Sequence, residues 1–154
     1  MKITDILSPD YIACAATPAS KKRALEEISE LIAGNISPLS PDDIFDSLLS
    51  RERLGSTGIG HGVAIPHGRV HNVDKTVGAF LQLSNGIDFD AVDNQPVNLL
   101  FALLVPEEST DEHLKVLATL AEMFNDEAFC KQLAEAATPG DIYNLLGNWE
   151  STTN

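Results

Sequence analysis

A chain of 154 residues with 44% hydrophobic and 21% charged residues fits one domain with a real core and excludes an intrinsically disordered composition. Ten Lys plus Arg against 23 Asp plus Glu give a formal charge of −13, which repels polyanions and argues against nucleic-acid or anionic-membrane binding. Only two cysteines are present, Cys14 and Cys130, without Cys-x-x-Cys spacing, so no disulfide framework is expected and a reducing, cytoplasmic setting is the simpler one.

The N-terminal MKITDILSPD has no apolar signal region, and the longest apolar run, Leu99 to Val105, is too short to span a bilayer; no membrane insertion is expected. Residues 1–149 are read as a single domain and 150–154 as a polar tail. Ser20 is placed to cap a helix over 21–33, where Ala24, Leu25, Ile28, Leu31 and Ile32 recur at helical spacing before Gly34. Ser40-Pro41-Asp42-Asp43 opens a second helix with a cap, a proline at the first position and acids at the positive end of the dipole. Ile44, Phe45, Leu48 and Leu49 form its apolar stripe.

Val63 to Ile65, Val77 to Leu83 and Val97 to Val105 are apolar runs bounded by Gly, Pro and Asn, and read as strands. Burying the seven side chains of LLFALLV favours folding by on the order of 10 kcal/mol, which calls for a central strand covered on both faces. Three helices are expected to follow, over 111–125, over 127–136, and from a Thr138 cap to Leu146. The fold class is therefore α/β, a mixed sheet flanked by helices on both faces.

Between the second helix and the first strand, Gly55 to Gly62 holds four glycines in eight positions. Such a loop lets backbone amides converge on a phosphate, with Ser56, Thr57 and Gly58 as the contributing residues; a flexible connector is the alternative. The spacing is neither G-x-G-x-x-G nor a P-loop, so no dinucleotide or ATP cradle is present and no cofactor is expected.

His67 follows, between Pro66, which holds Ile65 extended, and Gly68, which clears room for an approaching partner. This presents the imidazole at the carboxyl end of a short strand, where a neutral ring is a competent nucleophile for phosphoryl groups. His113, Leu117, Leu120 and Phe124 share one helical stripe, and His113 lies in the first turn after Thr110, so the two histidines are able to meet on one anion. A core histidine bonded to a carbonyl is the bland alternative for His113. Arg51 and Arg53 both suit a helix C-terminus; Arg51, three residues after Leu48, is able to lean toward the glycine loop, and spacing alone does not choose between them. His61 and His71 read as solvated loop residues, and Pro66 and Gly68 rule out a helical His67/His71 metal pair, so no metal is expected.

From Arg51-Glu52 through GSTGIGHGVAIPHG the sequence resembles the enzyme IIA proteins of the bacterial phosphotransferase system, in the mannitol/fructose-type superfamily, and is most like its nitrogen-regulatory branch. KKRALE at 21–26, FDAVDNQPV at 89–97, LLFALLVP at 99–106 and His113-Leu114 fit the same pattern. The resemblance implies that His67 takes a phosphoryl group on its distal (tele) ring nitrogen from an HPr-type (NPr) phosphocarrier, with Arg51 and His113 in the phosphate pocket. It also implies regulatory target proteins that bind according to phosphorylation state. A sugar-specific fructose/mannitol-type subunit passing phosphate to a separate IIB is the nearest alternative. A module that binds phosphate without covalent chemistry is the alternative of another class. His61 stands where related sequences often carry asparagine.

Overall fold

The computed structural model describes residues 3–35, 39–71, 73–108 and 112–149. The chain runs β1 (Ile12–Ala16), α1 (Lys21–Ala33), α2 (Pro41–Glu52), β2 (Gly58–Gly60), β3 (Val63–Ala64), β4 (His67–Val70), β5 (Val77–Ile87), β6 (Val97–Pro106), α3 (Glu112–Phe124), α4 (Glu127–Glu135) and α5 (Pro139–Asn148). The expected caps are made: Ser20, Ser40 and Thr138 hydroxyls accept from the backbone N–H of Arg23, Asp43 and Asp141. The expected tail, 150–154, and Asp111, placed at the head of α3, lie outside the described residues.

The sheet order is β1-β5-β6-β3-β2, with β4 continuing β3 along the same side of β6. Strands β3 and β4 run parallel to β6, and β5 runs antiparallel to it, so the sheet is mixed. As expected, β6 is central and covered on both faces. Leu99, Phe101 and Leu103 pack with Val116, Leu120 and Phe124 of α3 and with α4 and α5. Leu100, Ala102 and Leu104 pack with Leu25, Ile28, Ile44 and Leu48 of α1 and α2. An edge-to-face contact of Phe80 on Phe101, centroids 6.2 Å apart, and Phe124 beyond it at 6.1 Å fix the far end of α3 against the sheet.

Several elements depart from the expected set. β1 pairs with β5 in parallel, though IACAA is too short and alanine-rich to announce a strand. At its Ala15 bulge (φ 55) the backbone N–H donates to Gln82 Oε1 instead of to the ladder. The same buried amide donates to the carbonyls of Leu133 and Ala136, closing the end of α4. β5 runs past Leu83 to Ile87, and the glycine segment contains β2, a hairpin partner of β3. Cys130 is buried and its thiol is pushed up to about 11 by desolvation, while Cys14 is half-buried and raised for the same reason, so both behave as packing residues.

Candidate functional site

The segment Ile65-Pro66 interrupts the third strand without ending it. Pro66 has no N–H to give, but its carbonyl still accepts from Leu103 N at 2.9 Å, and the ladder resumes at His67, opposite Leu103. The expectation of a loop histidine after a finished strand is therefore corrected: His67 opens β4. Its ring is half-buried, with Nδ1 2.9 Å from the carbonyl oxygen of Ile65. A carbonyl only accepts, so Nδ1 carries the proton and Nε2 keeps its lone pair. Desolvation pushes the imidazole below its ordinary 6.5; the Ile65 hydrogen bond opposes this, Arg51 adds to it, Glu52 opposes it and His113 adds to it.

Gly68 sets where the second helix lies. A Cβ there would stand 2.2 Å from Ser47 Oγ and 3.0 Å from the Ser47 carbonyl carbon and oxygen, so α2 rests directly on the β4 backbone. Ser47 Oγ donates to Arg69 O at 2.8 Å and ties the two together. The space expected for a partner's backbone is filled by the chain's own helix. One turn after Ser47, Arg51 reaches the site and donates from Nη1 to Gly55 O at 2.8 Å. Of the two candidate arginines it is Arg51 that lines the cavity, while Arg53 is exposed beyond the helix end.

Arg69 carries no sequence signal of its own, because the short β4 does not announce itself as a strand. Residues two apart on a strand share a face, so Arg69 follows His67 toward α3. Its guanidinium donates from Nη1 to Glu107 O at 3.1 Å, and its Nη2 lies 3.3 Å from His113 Nε2. His113 Nδ1 is buried and has no hydrogen-bond partner among the described residues. Thr110, expected just ahead of it, lies outside the described residues. Arg51, His67, Arg69 and His113 thus line one cavity of about 520 Å³, rimmed by Leu54 and Leu114.

Ser56, Thr57 and Gly58, expected to cradle phosphate, are absent from this cavity's lining. Ser56 Oγ donates to Phe89 O at 2.6 Å, and Gly58 sits in β2 against Ala91, without room for a side chain. Thr57 donates from N and Oγ1 to the two oxygens of Glu52, at 3.0 and 2.6 Å. Glu52 is itself buried and takes the Lys21 ammonium at 2.7 Å. The glycine-rich loop is no free connector; it is a hairpin clamped to the end of α2, turning through His61 (φ 59) and Gly62 (φ 78). Glu52 falls four residues after Leu48 on the buried face, the one sequence signal of its role.

His61 and His71 sit outside the cavity, their Nδ1 atoms facing Glu127 (3.3 Å) and Glu107. Among the described residues no three His, Cys, Asp or Glu side chains cluster to hold a metal. No described helix is long and apolar enough to cross a membrane. A larger groove, about 1250 Å³, runs among Glu122, Asp126, Glu135 and Asp141, but its lining is acidic and offers no cation for an anion.

The family model described as phosphoenolpyruvate-dependent sugar phosphotransferase system, EIIA 2, matches residues 5–149. The chain belongs to that family. It is similar to the nitrogen regulatory protein of Escherichia coli K12, 43% identical over 153 residues that cover 99% of this chain and 93% of that protein. The crystal structure of the nitrogen regulatory protein IIA-Ntr from Neisseria meningitidis superposes with a TM-score of 0.87 at 42% identity, covering 94% of this chain and 98% of that one. The IIA mannitol structure from Escherichia coli matches at TM-score 0.76 and 25% identity, over 91% and 98% of the two chains. This EIIA chain is thus a phosphotransferase-system component with the mixed-sheet fold read from its sequence.

Proposed function

We propose that this EIIA protein is a cytoplasmic phosphocarrier of the nitrogen-regulatory type, in which His67 Nε2 accepts a phosphoryl group from the phosphohistidine of an HPr-type (NPr) carrier. The observation that carries the reading is the Nδ1–H bond to Ile65 O, which leaves Nε2 as the nucleophilic nitrogen beside Arg51, Arg69 and His113. In the transfer a P–Nε2 bond forms while the donor's P–N bond breaks, its electron pair returning to the donor imidazole. The proton stays on Nδ1 and is donated to Ile65 O, whose carbonyl dipole steadies the positive charge the ring acquires. Arg51 meets the charge of the phosphoryl oxygens in a partly dry cavity.

Adding close to two negative charges here changes the face this cavity offers to a partner, and regulatory targets are captured in one phosphorylation state. The test is incubation with phosphoenolpyruvate, enzyme I and an HPr-type carrier. An acid-labile, base-stable adduct on the native chain and none on His67→Gln is expected. An adduct that persists in His67→Gln, or phosphate bound without any covalent adduct, contradicts the reading. Transfer onward to a separate fructose- or mannitol-type IIB, with no partner change between states, would place the chain among the sugar-specific subunits instead.

A further inference from the structure

Arg69 holds a place that the phosphoryl transfer just described does not by itself explain. Its guanidinium donates to Glu107 O and lies 3.3 Å from His113 Nε2, linking β4 to α3 in the lining of the cavity. A guanidinium has only donors. The contact is therefore a hydrogen bond only if His113 Nε2 offers a lone pair, which puts the ring proton on Nδ1. That atom is buried and has no partner among the described residues. A free imidazole in water has no reason to hide its only N–H in this way; leaving such a donor unsatisfied opposes the arrangement. Arg69 is the group that compensates, because the opposite tautomer would set an N–H against the guanidinium N–H.

We propose that Arg69 is the positioning residue of this site: in the unphosphorylated chain it holds His113 in the Nδ1–H tautomer, and once His67 is phosphorylated its guanidinium moves onto the phosphoryl oxygens and releases the His113 ring. The inference rests on the phosphocarrier reading of His67 for its second half and on the Arg69–His113 geometry alone for its first. No bond to phosphorus changes at Arg69; one N–H donor exchanges a nitrogen acceptor for an oxygen one. The exchange is favoured because the phosphoryl oxygens carry negative charge, so the guanidinium gains an ion-pair attraction that a neutral imidazole nitrogen does not give. Arg69 is a strand residue two positions from the nucleophile and is exposed, so its guanidinium has room to move while its backbone does not.

The test uses the full chain labelled with 15N-histidine, comparing native protein with Arg69→Ala and Arg69→Lys. Long-range 1H–15N spectra of the unphosphorylated native chain are expected to show His113 as the Nδ1–H tautomer. Arg69→Ala is expected to turn it toward Nε2–H and to slow phosphoryl acceptance by about tenfold or more, the effect of losing one charge-assisted hydrogen bond. Arg69→Lys, which keeps a donor and a charge, is expected to restore the tautomer and part of the rate. A native-like His113 tautomer in Arg69→Ala, or an acceptance rate within twofold of native, overturns the proposal. The two readings fail separately: an adduct surviving in His67→Gln removes the phosphocarrier reading, while the tautomer, read before any phosphorylation, still decides the Arg69 contact.

Discussion

Burial of the His67 ring sets the pH range in which it is able to act. Unfolded, the imidazole protonates as pH falls through about 6.5; folded, desolvation delays this to lower pH. Between those two points the unfolded chain binds more protons, so this group's share of stability is complete above 6.5 and declines as pH falls below it. An NMR titration of the His67 ring is expected to give a midpoint under 6.5, and one above it contradicts the burial argument. Glu52 makes the second prediction at this scale. Glu52→Ala would remove the buried carboxylate of the Lys21 ammonium, leaving it Phe89 O and the exposed Asp90, and would strand the Thr57 N–H; it is expected to destabilise the chain by about 3 kcal/mol in urea unfolding. A loss under about 1 kcal/mol would mean that solvent replaces the carboxylate at no great cost.

At the scale of elements, the close approach of α2 to β4 delivers Arg51 to His67. Gly68→Ala forces a Cβ into the Ser47 backbone, so α2 has to move; about 1–3 kcal/mol of destabilisation and slower phosphoryl acceptance are expected together. Native stability and rate in that variant would show that the helix position is not set there. The helices were legible because caps, periodicity and prolines agree, as at Ser20 and Ser40. His67 and His113 are legible as candidates, since one follows a strand and the other sits on a helix stripe, while Arg51 is legible only as one of two arginines at a helix end. The parts the sequence does not announce are the hairpin from Gly55 to Gly62 and the strand His67–Val70. The glycines serve a tight hairpin and packing on Ala91, and β4 is a strand only because β6 lies beside it, which no local pattern announces. Arg69 was lost with that strand.

Over the whole molecule, the chain carries an excess of 13 negative charges, while its cavity carries two arginines. Partners that offer basic patches are steered to the acidic surface, and the association rate is expected to fall as salt rises; a flat dependence removes electrostatic steering from the account. Captures with His67→Ala and His67→Asp are expected to differ in the partners retained, because the second places a negative charge where the phosphoryl group would sit.

The claim on which the rest depends is that the Ile65 carbonyl, by holding the Nδ1 proton, makes Nε2 of His67 the acceptor. The direct measurement is 15N NMR of the histidine-labelled chain after phosphorylation by its carrier, with phosphorus coupling assigned to a single ring nitrogen. Coupling at His67 Nε2, with Nδ1 still protonated, is the predicted result. Phosphorus on Nδ1, or on His113, would contradict it.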